Sequence, residues 1–288
     1  MVSLEGFVGY SRRCANRLLR AHCVRAVGPG LSLAGQPVRR MRRTPRALAS
    51  LSLMLAAALT AGNAAAVTFG GDLTAVSDYI FRGVSQNDGN PAAQIDLHAA
   101  TNSGYFAGVW ATTINASDRL THYELEAYGG KRFQLSSTWT ATISAVDYMY
   151  EHSAAHRSGD YQEVAVSVGY LDALTFSLAY SPNAVRYWKG YRLGRYQTYD
   201  ADLSGQWSLW RGLFATGGVG FYYLTEPAVP RSRLDGYFYG NVGLALERGP
   251  FRLDVGYYAA DSQARWLFPY AGNGDRTSTV AASVSWRF

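Results

Sequence analysis

Charged side chains recur at every second position within apolar segments of this sequence. In "GDLTAVSDYIFRG", Asp72, Asp78 and Arg82 fall on one side of a period-two pattern, and in "QIDLHAA" Asp96 precedes His98 by two residues. The positions that share the pattern are Asp72, Asp78, Arg82, Asp96, His98, Glu124, Glu126, Glu163, Asp200, Asp202, Glu247, Arg252, Asp254 and Arg287. Acids outnumber Arg, so a surface that gathered these side chains would attract cations. Alternatively, Arg and acid pairs cross-link that surface and close it.

His98 has the most chemistry available to it. Because it lies two positions from Asp96 on one strand face, the two side chains are able to share a water molecule. A hydrolase built on His98 would also need a serine nucleophile, and the sequence nominates none. There is no G-x-S-x-G, no glycine-rich phosphate loop, no Cys pair and no H-E-x-x-H. We predict a hydrogen-bonded His98 in a protein that is not an enzyme and has no catalytic residue or cofactor, with a hydrolase as the remote alternative.

Metal binding has two weak candidates. His152 and His156 share a charged loop, and "NDGN" (87–90) and "GNGD" (272–275) carry oxygen ligands of the kind that Ca²⁺ prefers. Loop histidines are usually solvated, however, and Asx-Gly clusters are more often simple turns. We therefore predict no metal site.

The N-terminal part has the pattern of a segment removed on export. From Met41, three Arg residues precede an apolar run from Ala47 to Ala61, which ends at the small-residue sequence 64–66. This is the pattern of a secretory signal peptide; a short membrane anchor is the alternative. We predict a signal peptide at 41–66, a non-native extension at 1–40 that precedes the true start, and one folded domain at 67–288.

Removal of the first 66 residues changes the charge and thiol content. They contain ten Arg and one acid, so 17 basic and 20 acidic residues remain and the formal charge changes from +6 to about −3. The basic character therefore gives no reason to expect a nucleic-acid partner. Both cysteines, Cys14 and Cys23, also lie in the removed part, which leaves no thiol for a disulfide.

The remaining residues alternate apolar and polar side chains in segments separated by turn residues. We predict twelve strands, at about 68–82, 93–102, 105–115, 121–132, 137–150, 161–171, 174–180, 196–209, 213–223, 236–247, 251–259 and 278–288. Long and short connections alternate along the chain, which is typical of a transmembrane antiparallel up-and-down β-barrel. A soluble β-sandwich, the alternative, has no physical reason to alternate long and short connections in this way. The even strand number predicts both termini on the short-turn, periplasmic side.

The two faces of the predicted strands differ in polarity. A charge facing lipid at mid-bilayer costs about 2–4 kcal/mol for Arg, so the polar face must line the lumen. Aromatic side chains near strand ends are candidates for two interfacial girdles: Tyr79, Phe81, Tyr105, Tyr148, Tyr150, Tyr180, Trp207, Tyr222, Tyr223, Tyr257, Trp286 and Phe288. Strands three, five and nine carry large apolar residues on both faces, so either a bulge shifts their register or aromatic side chains partly fill the lumen.

The chain ends within an alternating strand, "VAASVSWRF". Closure of a barrel pairs the last strand with the first, so this end need not fray. The pattern resembles the C-terminal strands of bacterial outer-membrane proteins. That resemblance implies that Trp286 and Phe288 form the signal read by the barrel-assembly machinery.

Three stretches in the first third of the folded part form a recognisable set: "SDYIFRGVSQ" (77–86), "GYFAGVWATTIN" (104–115) and "YELEAYGG" (123–130). In these stretches the chain resembles the TorF-type porin family of Gram-negative bacteria. The resemblance implies an outer-membrane β-barrel and a pore, and it supplies no substrate or functional residue.

The long connections contrast in charge with the predicted lumen. The one after strand seven carries Arg186, Lys189, Arg192 and Arg195 beside aromatic residues. We expect these cations to meet lipopolysaccharide phosphates; alternatively the loop folds inward and forms an anion-leaning constriction. We predict a cell outer membrane channel for passive diffusion of small hydrophilic solutes or ions, cation-leaning through its acidic lumen. A closed structural or surface-binding barrel that acts through its loops is the alternative.

Overall fold

A computed structural model of the chain describes residues 66–114, 122–150, 160–188, 191–225, 236–264 and 277–288, with the backbone alone at 185–188 and 191–193. The predicted signal peptide and N-terminal extension lie outside the described residues, as do Lys189, His152, His156 and the 272–275 turn. No helix among the described residues is long and apolar enough to cross a membrane.

Fourteen strands form within the described residues, twelve of them long. The strands are β1 (Val67–Val76), β2 (Ile80–Phe81), β3 (Val84–Ser85), β4 (Ala92–Thr101), β5 (Tyr105–Thr113), β6 (Tyr123–Gln134), β7 (Trp139–Tyr150), β8 (Tyr161–Tyr170), β9 (Leu174–Trp188), β10 (Tyr191–Trp210), β11 (Leu213–Leu224), β12 (Gly236–Arg248), β13 (Phe251–Ala260) and β14 (Ser278–Arg287). The long strands correspond one to one with the twelve predicted from alternation.

The twelve long strands close into one antiparallel barrel. Each pairs with its neighbours in sequence, β4 pairs with β1, and β14 pairs with β1 to complete the circle. At this seam Asp72 lies opposite Arg287 and Leu73 opposite Trp286. The backbone N–H groups of Gly71 and Phe288 donate to each other's carbonyl oxygens over 3.1 and 3.0 Å. The predicted fold class and the pairing of the chain end with the first strand are both confirmed.

The barrel has one rim of short turns and one of longer connections. The turns after β4, β6, β8, β10 and β12 are short, and β1 begins and β14 ends at the same rim. The connections after β1, β5, β7, β11 and β13 are longer. This is the loop sorting that the sequence predicts, with one exception after β9.

The outer and inner faces differ as the alternation requires. Large apolar side chains stand exposed on the outside, including Phe69 (79%), Val280 (66%) and Phe238 (64%). On the undecided strands, Phe106 and Trp110 are buried on the inner face of β5, and β7 and β11 likewise turn aromatic side chains inward. The register along β5 and β7 runs without a shift, so aromatic filling of the lumen accounts for these two strands. Along β11 both features occur, because its pairing with β10 shifts register between Ser208 and Trp210.

The predicted first strand, 68–82, is too long. β1 ends at Val76, and residues 77–91 leave the wall. Asp78 and Arg82 therefore lie on a connection and not on a wall strand. Tyr79 and Phe81, assigned by alternation to the lipid-facing girdle, are buried. The same assignment is wrong for Tyr148 and Tyr222, which share the inner face with Glu126 and Asp200 and are buried there.

The predicted basic loop between strands seven and eight is also largely strand. β9 continues to Trp188 and β10 begins at Tyr191, with Arg192 opposite Tyr187 and Gly194 opposite Arg186. The hairpin therefore extends the ladder of the wall on either side of residues 189–190. Arg195 is exposed and donates to the carbonyl oxygens of Asp160 and Asn183 at 2.9 and 3.0 Å.

Candidate functional site

Residues 77–91 form a hairpin, hereafter the inward hairpin, that enters the lumen from the long-connection rim. Ile80 pairs with Ser85 and Phe81 with Val84, and the two-residue turn between them consists of Arg82 (φ 49°) and Gly83 (φ 76°). Positive φ at both positions defines a type I′ turn, which usually takes Asn-Gly. An Arg in this conformation is strained and needs support from its surroundings.

Ion pairs to two wall strands supply that support. The Arg82 guanidinium contacts Glu163 Oε2 on β8 at 2.7 Å and Asp200 Oδ2 on β10 at 3.2 Å, with its side chain only 3% exposed. It also lies over the rings of Phe81 and Tyr222, 4.7 and 5.0 Å from their centroids. Burial disfavours the charged form, but Asp200 and Glu163 outweigh it and raise the pKa of Arg82 above its ordinary value.

The inward hairpin is packed against one side of the barrel by its aromatic residues. Tyr79 contacts Trp110 on β5 with ring centroids 5.6 Å apart, and Phe81 contacts Tyr148 on β7 at 6.3 Å. Tyr148 in turn stacks on Tyr161 of β8 at 4.3 Å. These rings hold the first arm of the hairpin on the β5–β8 side of the lumen.

The turn and the second arm reach the other side. Val84 packs in a cluster that includes Leu224 on β11 and Tyr237 on β12, and the Tyr237 hydroxyl donates to the Arg82 carbonyl oxygen at 3.1 Å. A Cβ on Gly83 would lie 2.7 Å from Tyr239 Cβ and 2.9 Å from the Ala259 carbonyl oxygen. The hairpin thus touches strands from β5 to β13 and crosses the lumen.

The chain returns to the wall through a second tight turn. Asp88 and Gly89 have φ of 57° and 75°, and the Asn90 N–H donates to the Asn87 carbonyl oxygen at 3.0 Å. Inside the hairpin, the Ser85 hydroxyl donates to Asp78 at 2.7 Å. The "NDGN" sequence therefore serves as a turn. No group of three or more His, Cys, Asp or Glu within the described ranges is arranged to hold a metal ion.

The lumen wall formed by β1, β4 and β6 carries four acids, and Arg287 on β14 lies opposite one of them, Asp72. Asp72 lies opposite Asp96, and Glu124 and Glu126 follow on the same face of β6. Their described partners are neutral or weakly basic: Thr74 donates to Asp72 at 3.0 Å, and Tyr150 donates to Glu124 at 2.8 Å. No Arg or Lys of the described chain lies within 4.0 Å of these four carboxylates. These four acids face the lumen on one side of the barrel.

His98 makes the contact that its spacing predicts. Its Nδ1 lies 2.5 Å from Asp96 Oδ1, and the Tyr128 hydroxyl donates to Asp96 Oδ2 at 2.6 Å. This network joins β4 to β6 on the inner face. It places a hydrogen-bonded histidine in the wall.

A third group of charges lies near the short-turn rim. Arg252 donates to both Asp254 oxygens, to Glu247 at 2.9 Å and to Gln206 at 3.2 Å. Arg287 lies 3.4 Å from Glu247. At this end Arg and acidic side chains pair, as the alternative interpretation of the sequence expects.

The structure therefore divides the predicted lumen residues into three groups. Glu163 and Asp200 meet Arg82, the wall acids gather beside His98, and Arg252 binds Asp254. Sequence reasoning missed Trp110, Tyr148, Tyr161, Tyr222 and Tyr237 as lumen residues. For Trp110, Tyr148 and Tyr222 the signal was the large apolar content on both faces of strands three, five and nine, because an inner aromatic indicates that something packs inside the barrel. Tyr161 and Tyr237 lie on other strands, β8 and β12, and had no such signal.

The chain resembles a family model and several solved porin structures. Residues 60–199 match a family model described as "Bacterial protein of unknown function (Gcw_chp)", and no curated protein sequence matches the chain. Among solved structures, the NanC porin is 13% identical, with a TM-score of 0.49 over 75% of this chain and 98% of that one. The KdgM porin is 10% identical, with a TM-score of 0.45 over 76% and 99%. The outer membrane channel DcaP of Acinetobacter baumannii is 9% identical, with a TM-score of 0.36 over 78% and 97%. The TorF-type resemblance stays a prediction.

Proposed function

We propose that the protein is a narrow channel of the Gram-negative outer membrane through which small hydrophilic solutes or ions diffuse passively. The observation that carries the proposal is the closed twelve-stranded barrel, apolar outside and polar inside. A barrel with such an exterior is stable in a bilayer, because each strand pairs with a neighbour on both sides around a closed circle. Twelve strands lie between the eight that side chains fill and the sixteen that leave an open channel.

The inward hairpin supports a narrow pathway. It occupies the long-connection half of the lumen, and its contacts reach strands on both sides. A solute has to pass beside the hairpin or displace it, so size and charge decide passage. No covalent step and no energy source are required, and the proposal includes no enzymatic activity.

A cation preference is the second part of the proposal. Asp72, Asp96, Glu124 and Glu126 have no Arg or Lys within 4.0 Å among the described residues, whereas Arg82 and Arg252 are already bound to acids. The uncompensated field in the lumen is therefore negative, and a low-dielectric wall focuses it.

The setting in the cell completes the proposal. The segment 41–66 directs export and is cleaved, and the barrel-assembly machinery reads the last strand through Trp286 and Phe288. The short-turn rim faces the periplasm. The outer rim, with exposed Arg195, lies among lipopolysaccharide phosphates, and no nucleic acid takes part.

Single-channel currents in a planar bilayer under a KCl gradient test the proposal. Discrete steps with a cation-selective reversal potential are expected. Anion-selective steps would retain the channel and refute the assigned charge filter. Absence of steps from protein shown to be folded would refute the channel and favour the second candidate, a closed barrel that acts through its loops. The observation behind that candidate is the hairpin itself, which crosses the lumen.

A further inference from the structure

The guanidinium of Arg82 lies between Phe81 of the inward hairpin, 4.7 Å from its ring centroid, and three side chains of the barrel wall. Glu163 and Asp200 supply two carboxylates at 2.7 and 3.2 Å, and Tyr222 supplies an aromatic face at 5.0 Å. Carboxylates in reach of the N–H groups and a ring over the cation are the combination that recognises a guanidinium. We call these three residues the cation pocket.

The cation pocket and its occupant belong to different parts of the molecule. Asp200 and Tyr222 are cross-strand partners on β10 and β11, and Glu163 lies on β8, joined to β10 through β9. Arg82, by contrast, lies in a two-residue turn with positive φ. A wall of paired strands is held in place by its own ladder, whereas a strained turn gives up strain when it leaves. The pocket therefore does not depend on the hairpin for its shape.

We propose that the cation pocket is a recognition site for small organic cations with a guanidinium or primary ammonium group, and that Arg82 is its internal occupant. The inference rests on the proposed channel function, because a solute reaches the pocket only through the lumen. An incoming cation competes with Arg82 for Glu163 and Asp200 and releases the turn. A neutral or anionic solute has no such contact and meets the hairpin in place.

Variants that lack the Arg82 guanidinium, and so leave the cation pocket without its internal occupant, test the inference. The full chain and its Arg82→Ala and Arg82→Gln variants are purified in the folded state in detergent. They are then inserted into planar bilayers in KCl. Guanidinium chloride is then titrated against urea, a neutral molecule of the same planar shape. We expect guanidinium to block the K⁺ current of either variant at a concentration at least tenfold lower than in the wild type. Urea is expected to have no effect.

A second measurement tests the two carboxylates of the cation pocket, Glu163 and Asp200. Adding Glu163→Gln and Asp200→Asn to Arg82→Ala is expected to weaken the guanidinium block at least tenfold. Two outcomes would overturn the inference and leave the channel intact. In the first, Arg82→Ala conducts but guanidinium blocks it no better than the wild type. In the second, guanidinium blocks it no better than the triple variant. Calorimetric titration of the detergent-folded variants with guanidinium requires no conductance. Binding to Arg82→Ala without current would therefore support the pocket and refute the channel, and no binding would refute the pocket.

Discussion

Gly83 offers a direct test of how tightly the inward hairpin fits the lumen. A Cβ at this position would lie 2.7 Å from Tyr239 Cβ and 2.9 Å from the Ala259 carbonyl oxygen, and neither atom is the end of a flexible side chain. The residue also has φ of 76°, which costs Ala about 1–2 kcal/mol. Overpacking adds about 1–3 kcal/mol. The Gly83→Ala substitution should therefore disfavour the inserted position of the hairpin by at least about 2 kcal/mol, or roughly thirtyfold.

Gly249 is the matched control. It too has positive φ, 59°, but a Cβ there would meet nothing within 4 Å. Gly249→Ala should carry the backbone cost alone and leave the lumen unchanged. In planar bilayers we expect Gly83→Ala to raise the fraction of time in the highest conductance level, and Gly249→Ala to match the wild type. Equal currents from all three proteins would refute the tight contact between the turn and the β12–β13 wall.

Three further predictions concern the lumen charge, the lipid face and the seam. Glu124→Gln should lower the preference for K⁺ over Cl⁻ in reversal potentials, whereas Asp147→Asn, on the outer face, should not; equal effects would refute the acidic-wall filter. Val242→Arg should lower the free energy of unfolding in lipid vesicles by about 2–4 kcal/mol, and Asn241→Arg, one residue along on the inner face, by clearly less; the reverse order would mean that the faces are wrongly assigned. Deletion of Phe288 removes both hydrogen bonds to Gly71 and should lower the yield of the compact, heat-modifiable form on gels, while Phe288→Tyr keeps it. An unchanged yield on deletion would argue against a role of that residue in closing the barrel.

The sequence was sufficient for most of the barrel. Alternation along β4, β6, β8, β10 and β13 separates lipid-facing from lumen-facing side chains, because a one-residue slip would expose every charge to lipid. The same logic found the pairing of the chain end with β1. It could not assign β5, β7 and β11, where large apolar residues occupy both faces, because alternation does not distinguish lipid from an aromatic-filled interior.

The inward hairpin escaped prediction for a related reason. Ile80 and Phe81 continue the period of two past Val76, and a short hairpin inside the lumen has the same period as a wall strand. The turn is formed by Arg-Gly instead of the usual Asn-Gly, so no local signal marked it. For β9 and β10 the error was the opposite one, because the predicted strands were too short. Pro182, Asn183 and Gly190 are typical of a loop, so a loop was predicted where the structure has a ladder.

The motif that carries the family resemblance gains a physical explanation. The segment 77–86 forms the inward hairpin, and Trp110 in the second matched stretch is the residue on which Tyr79 packs. Glu124 and Glu126, in the third stretch, lie on the acidic wall. The second and third stretches lie on the paired strands β5 and β6, and the hairpin of the first stretch packs against the same side of the lumen.

The seam between β1 and β14 has consequences for how the chain folds. β1 pairs with β4 from Val67 to Val76, but with β14 only from Asp72 to Val76. The seam also joins the most distant parts of the sequence: Thr74 donates to Ser285, 211 positions away, at 2.8 Å. Contacts of such separation form late, because the loop-closure entropy has to be met before they are made. Strand-by-strand growth from the hairpins, followed by closure of this short seam, is the folding order that the topology favours, and the seam is where the finished barrel opens first.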